Sequence, residues 1–189
     1  MLVNALESLG ERLRSRVRQA LSNVQTRSAA VLVPLLGSPD NPTLLLCERS
    51  TDVLEHKGEI CFPGGSIERH DRGAVDAALR EAQEELALSR ELVSIVGLLD
   101  DVETMVSNYT ITPVVGYVEG NPTLVPDPLE VSRILTVPIM RLLEPGVEVS
   151  AQTEYGGVVK TRYSYMLDGN KIWGATARIV HSLLELLRD

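Results

Sequence analysis

Two cysteines in 189 residues, Cys47 and Cys61, are too few for a disulfide framework and lack the spacing of a metal cage. Both read as reduced core or near-core thiols, because a thiol nucleophile needs a neighbouring base that the sequence does not offer. The three histidines, His56, His70 and His181, are scattered and form no ligand cluster. Aromatic residues amount to 4%, with one Phe and one Trp, so no base-stacking platform stands out. No apolar run reaches the length of a membrane span, and Glu7, Glu11, Arg12 and Arg14 occupy the stretch where a secretory leader needs apolar residues. These absences predict a soluble, cytoplasmic protein with no membrane partner. A net charge of -8 without a Lys/Arg patch argues against nucleic acid as a partner too.

What is present is a chain 44% hydrophobic, enough for one substantial core. Its most informative segment runs from Gly58 through Phe62-Pro63-Gly64-Gly65 to Leu79-Arg80-Glu81-Ala82-Gln83-Glu84-Glu85-Leu86. The Pro-Gly-Gly turn cannot continue regular structure, and the run after it favours a helix. At about 100° per residue, Glu81, Glu84 and Glu85 share an arc of roughly 100°, while Val75, Leu79, Ala82 and Leu86 form an apolar arc on another side. Like charges at i, i+3 and i, i+4 oppose the helix by a few tenths of a kcal/mol per pair, so a cation is expected to relieve them. Mg²⁺ suits carboxylate and water oxygens, and Mn²⁺ is a plausible substitute. The same run also suits an ordinary solvated helix face. The glycine turn, Arg80 at i, i+4 from Glu84 and the apolar stripe favour the metal site. A carboxylate-bound divalent cation also explains how an acidic protein can bind an anionic polyphosphate.

The segment from Gly65 to Leu88 resembles a Nudix box, the signature of hydrolases acting on nucleoside diphosphates linked to another group. The Arg-Glu-x-x-Glu-Glu core is matched at Arg80, Glu81, Glu84 and Glu85. Upstream, Leu45-Leu46-x-x-Arg49-Ser50, Leu54, Gly58 and Phe62-Pro63-Gly64-Gly65 are similar to the motif of the coenzyme A pyrophosphatase branch. There are two departures. Asp71 takes the acidic loop position in a loop one residue longer than the pattern, and Ala87 replaces the glycine that closes the box helix. Alanine resists the left-handed cap conformation, which predicts a helix that runs on or ends differently.

The resemblance implies metal ligation by Glu81 and Glu85, with Glu84 a third ligand or the base that activates water. Glu81 competes for that base role, and an acid outside the box is an alternative: Asp100, Asp101 and Glu103 first, Glu130 and Glu154 as weaker candidates. Arg80 joins the catalytic group by resemblance, and its spacing makes it an orienting partner for Glu84 or Asp71. Arg49, Phe62, Gly64 and Gly65 are the substrate-binding candidates, with the Gly64 or Gly65 carbonyl also in reach of a metal. The implied substrate is a small-molecule diphosphate, coenzyme A or an acyl derivative, cut to 3′,5′-ADP and 4′-phosphopantetheine. Hydrolysis of ADP-ribose, NADH or a dinucleoside polyphosphate is the rival activity, and a non-catalytic nucleotide-binding module is a further alternative. Tyr109, Tyr117 and Trp173 are candidates to stack on adenine, each also suited to packing, and Thr176 is a more distant candidate ligand contact.

Residues 1 to about 26 read as an amphipathic helix with Leu2, Leu6, Leu9, Leu13, Val17 and Leu21 at helical spacing, part of the same domain as residues 27–189 and a candidate homodimer contact. Residues 29–36 and 43–48 read as a hairpin, 93–99 and 110–118 as strands, 138–143 as a short helix, 147–153 and 158–166 as a hairpin across Gly156-Gly157, and 175–187 as a final helix. That order predicts an α+β fold of the Nudix type, an α/β/α sandwich with a mixed β-sheet.

Overall fold

The computed structural model describes residues 5–21, 25–51, 57–104, 107–155 and 158–188, and for residues 155, 158 and 160 the backbone alone. Leu2, Leu54, His56 and the Gly156-Gly157 turn lie outside the described residues. In chain order the elements are α1 (Ala5–Ser15), β1 (Arg27–Ser38), β2 (Asn41–Arg49), β3 (Ile60–Cys61), β4 (Gly64–Ser66), α2 (Ala74–Leu86), β5 (Val93–Leu98), β6 (Val102–Glu103), β7 (Tyr109–Val118), β8 (Val131–Pro138), α3 (Ile139–Leu142), β9 (Glu148–Tyr155), β10 (Val158–Leu167), β11 (Asn170–Ile172) and α4 (Gly174–Arg188).

The expected hairpin forms tightly: Ser38 faces Asn41, so Pro39-Asp40 alone make the turn. β1 then pairs in parallel with β7, from Arg27 beside Tyr109 to Leu35 beside Tyr117. Every other pairing in this sheet is antiparallel, which makes it mixed as expected. Alternation along β1 divides the core. Ala30 and Leu32 meet Ala77, Ala78, Ala82 and Leu86 of α2 on one face, while Val33 and Leu35 meet Leu9 of α1 and Leu183 of α4 on the other. The strands β9, β10 and β11 form a separate antiparallel sheet, and its Tyr165, Leu167 and Ile172 join the α4 side of the core.

α1 stops at Ser15, well short of the expected end near residue 26. The cause lies in Arg16 and Arg18, which pair with Asp100 and Asp101 and draw the chain into an extended course. Gln19 and Leu21 donate backbone N–H groups to those same carboxylates at 2.8 Å, so Val17, expected in the apolar stripe, is 91% exposed. The remaining stripe is consumed within the chain. Leu9 is fully buried, worth about 1.5–3 kcal/mol, and Leu13 sits so close to Gly97 that a Cβ there would lie 2.9 Å from it. No helix among the described residues is long and apolar enough to cross a membrane.

Candidate functional site

The site grows from the junction of β4 and α2. β4 runs antiparallel to β1, placing Gly64 and Gly65 beside Val31 and Ala30 and directly under the acidic face of α2. Gly64 requires glycine for lack of space against backbone, whereas Gly65 leaves room for the Glu81 carboxylate. A Cβ on Gly64 would lie 2.4 Å from the Ala30 carbonyl oxygen, and one on Gly65 would lie 2.5 Å from Glu81 Oε1. Glu81 therefore rests on the turn itself, and the Gly64 N–H donates to Glu85 Oε2 at 3.2 Å.

Arg80 uses all five of its N–H donors inside the protein. Nε and Nη2 take the two oxygens of Asp71 at 3.0 and 3.1 Å, Nη2 also meets the Ser66 carbonyl at 3.1 Å, and Nη1 meets Glu81 and Glu84 at 3.0 and 2.9 Å. Both orienting partners expected for it are engaged, and no donor remains for a substrate. A guanidinium so engaged is suited to position the neighbouring carboxylates. Asp71, with its side chain 1% exposed, is driven down to about 2 by the Arg80 guanidinium, helped by the Glu68 N–H at 2.8 Å. The longer loop is closed by this Asp71 turn.

The carboxylates above the turn are short of positive partners. Glu85 is 4% exposed and pushed up to about 8, first by burial, then by Glu130 and Glu81, with Arg49 and the Gly64 N–H opposing. Glu81 is also raised, by burial, against the pull of Arg80 and with the push of Glu84 and Glu130. Glu84 is 55% exposed and tied to Arg80 alone among these groups. Glu130, the weaker sequence candidate, is therefore the outside acid that the fold brings to the site. Asp127 donates to the Glu85 carbonyl at 2.9 Å and Ser50 to the Glu130 carbonyl at 2.8 Å, which lays this loop along the end of α2. Its arrival depends on β8 pairing with β2, a strand that residue spacing does not announce.

The other outside acids are placed elsewhere. Asp100 and Asp101 hold Arg16 and Arg18, Glu103 sits on β6, and Glu154 lies on β9 of the smaller sheet. The expectation that Phe62 touches substrate does not hold for its ring, which is 3% exposed and packed in the core beneath the turn. Arg49 is half-buried beside Cys61 and Glu85, and its Nε has no hydrogen-bond partner among the described residues. Both thiols are free, and burial pushes Cys61 up to about 12, so neither is a reactive thiolate. Of the ring candidates, Tyr109 lies beside Ser66, Tyr117 bonds the Gly37 carbonyl at the far end of β1, and Trp173 stands 48% exposed before α4. Thr176 falls in the first turn of α4.

α2 ends at Leu86, with Ala87 in the left-handed conformation (φ 54°, ψ 24°), contrary to the expectation that alanine resists it. Ala87 donates to the Gln83 carbonyl at 3.0 Å, and Leu88 is 1% exposed. Burial of Leu88 offsets the 1–2 kcal/mol that this backbone shape costs a residue with a Cβ, roughly.

Hard oxygen donors gathered on a backbone turn, with more negative charge than the fold neutralises, fit a divalent cation. Glu81, Glu85 and Glu130 could hold it, with Glu84 released from Arg80. Among the described residues no three acidic, cysteine or histidine side chains yet converge as a closed cluster, because Arg80 keeps Glu81 and Glu84. An arrangement of this kind is equipment for an enzyme working on anionic phosphate esters or anhydrides.

Comparison with known proteins gives that class its family. The model of the NUDIX domain matches residues 26–155. The chain is 37% identical over 172 residues to the uncharacterized Nudix hydrolase NudL of Pectobacterium atrosepticum, covering 87% of this chain and 85% of that protein. The NudL of Photorhabdus laumondii subsp. laumondii is 35% identical over 159 residues, covering 84% of each. Among solved structures, a MutT/nudix family protein from Enterococcus faecalis superposes with TM-score 0.60 at 12% identity over 100% of this chain and 76% of that one. The Nudix hydrolase RenU from M. smegmatis gives 0.52 at 22%, over 64% and 78%. The chain belongs to the Nudix family and is a pyrophosphohydrolase of the kind that uses a divalent cation.

Proposed function

We propose that this protein hydrolyses the diphosphate of coenzyme A or an acyl-CoA, giving 3′,5′-ADP and the (acyl-)4′-phosphopantetheine, with Mg²⁺ or Mn²⁺ as the cation. The observation that carries the reading is the approach of its two motifs: the charge of Arg49, from the segment resembling the CoA-type motif, acts on Glu85 of the box across β2, β3 and the Gly64 turn. A half-buried guanidinium close to the acidic cluster is a natural contact for a phosphoryl oxygen.

When bound, the cation neutralises phosphoryl oxygens and lowers the pKa of an attached water. The chain supplies the rest. Glu81 and Glu85 are the principal ligands, supported by the Gly64-Gly65 backbone, and Glu84 or Glu130 takes the proton from the attacking water. Arg80 releases or retains Glu84 according to the charge at the site, and Asp71 keeps Arg80 in place throughout. Residues 27–189 form the hydrolase domain, with α1 packed on it as one of its parts.

Incubation with Mg²⁺ or Mn²⁺ and CoA, acyl-CoA, ADP-ribose, NADH or a dinucleoside polyphosphate, with products identified by mass spectrometry, tests the reading. Preferred cleavage of CoA to 3′,5′-ADP and phosphopantetheine is expected. Preference for another diphosphate would retain the hydrolase and discard the CoA assignment.

A further inference from the structure

The polar groups that the metal site leaves unused gather where β1 and β7 begin, on the α4 face of the sheet. Arg27 and Tyr109 are neighbours in the parallel register, and the Arg27 guanidinium carbon stands 5.1 Å from the centre of the Tyr109 ring. Arg16, Arg18, Arg80, Arg90, Arg133 and Arg188 each meet a carboxylate. Arg27 is exposed and, among the described residues, its side chain makes no hydrogen bond or ion pair, while its backbone N–H donates to the Asn108 carbonyl at 2.9 Å. In a chain of net charge -8, a cation left without a carboxylate beside the catalytic turn needs an explanation.

The connection to the turn is short. The Tyr109 hydroxyl lies 3.5 Å from Ser66 Oγ, the Ser66 carbonyl is held by Arg80, and the preceding residue, Gly65, carries Glu81 against its backbone. From the α4 side Arg178 donates to the Glu103 carbonyl at 2.7 Å, with the Glu103 carboxylate nearby, and Tyr109 is tied to the same hairpin through Thr104 Oγ1 at 2.8 Å. Tyr109 is therefore held at its backbone by the hairpin, and its hydroxyl meets the turn.

Resting on the CoA reading above, we propose that Arg27, held over the Tyr109 ring, binds a phosphate monoester on the nucleoside half of the substrate while the diphosphate lies at the Gly64-Gly65 turn. A guanidinium matches a phosphate dianion with two parallel N–H donors. Stacking on the ring restrains it beforehand, so less side-chain freedom is lost on binding. A nucleoside with a plain ribose hydroxyl at that position offers Arg27 a neutral acceptor and gains far less. The subsite thus selects nucleoside diphosphates that carry a further phosphate.

The test compares binding of 3′,5′-ADP and AMP by calorimetry to the wild-type protein, Arg27→Ala, Tyr109→Phe and Tyr109→Ala, with melting temperatures recorded for each. The wild type is expected to favour 3′,5′-ADP by about tenfold or more, and Arg27→Ala to erase that preference with AMP affinity unchanged. Tyr109→Phe keeps the ring and the preference, whereas Tyr109→Ala loses much of it; if the alanine variant does not fold, the other two still decide. A wild type that does not distinguish the two ligands, or an Arg27→Ala variant that still does, would overturn the proposal. Because the readout is binding of a nucleotide, it stands apart from turnover: CoA cleavage with no effect of Arg27 removes this subsite alone, and absence of CoA cleavage removes the functional reading.

Discussion

Glu85 and Glu148 are both carboxylates drawn out of water by the fold, and their surroundings treat them in opposite ways. Burial would raise Glu148, but the Tyr165 hydroxyl at 2.8 Å, His181 at 3.4 Å and Arg188 at 3.2 Å outweigh it and hold the group below its usual range. Glu85 has one backbone N–H and a distant share of Arg49 against burial and two other glutamates, and it is raised. The fold satisfies Glu148 by itself and leaves Glu85 unsatisfied. A carboxylate whose charge the chain completes is structural, and one whose charge it leaves open is a place for a ligand.

The comparison breaks most sharply at Glu85→Gln, which keeps shape and removes charge. Turnover should fall by about 10²–10⁴-fold in steady-state kinetics while the far-ultraviolet circular dichroism stays native. Retained turnover would place the chemistry elsewhere. Asp71→Asn comes next, because it strips Arg80 of its paired acceptor: denaturant unfolding should show a loss of about 2 kcal/mol, reduced from the fully buried case by the partial exposure of Arg80. Its turnover should fall as well, since Arg80 also holds Glu81 and Glu84.

The two regions also differ in pH dependence. The folded Glu85 value of about 8 lies above the ordinary 4.3 or so of an unfolded chain, so the folded state keeps a proton that the unfolded state has lost. Stability of the metal-free protein should therefore fall as pH rises from about 4 to about 8, and Mg²⁺ should restore more of it at pH 8 than at pH 5, read from melting temperatures. Asp71 works in the other direction. Its contribution is complete above about pH 4 and is lost as pH falls toward about 2. Glu148→Gln should cost about 1 kcal/mol in unfolding and leave turnover unchanged, since it loosens only the Tyr165, His181 and Arg188 contacts. The smallest effect is expected from Ala87→Gly, a stabilisation of about 0.5 kcal/mol as relief of the left-handed backbone exceeds the added flexibility of the unfolded chain.

Much of this arrangement was legible in residue spacing. The three box glutamates announce themselves because i, i+3 and i, i+4 positions share a helix face, and the Pro39-Asp40 hairpin because turn residues separate two Val- and Leu-rich runs. Elements of two or three residues such as β3, β4, β6 and β11 carry too little pattern to read. The course of residues 16–21 was misread as helix because Val17 and Leu21 fit the apolar period, while the ion pairs that override it join parts of the chain remote in sequence. The same distance left Glu130, which reaches the site through β8 pairing, only a weaker candidate, and hid Arg27, whose place on Tyr109 follows from a parallel pairing.

The central claim, that the fold leaves the Glu85 cluster for a cation to complete, is tested most directly by titrating Mn²⁺ into the wild type, Glu85→Gln and Glu148→Gln under calorimetry. The account predicts the same affinity for wild type and Glu148→Gln, and at least about tenfold weaker binding for Glu85→Gln. Equal Mn²⁺ affinity in all three proteins would contradict it.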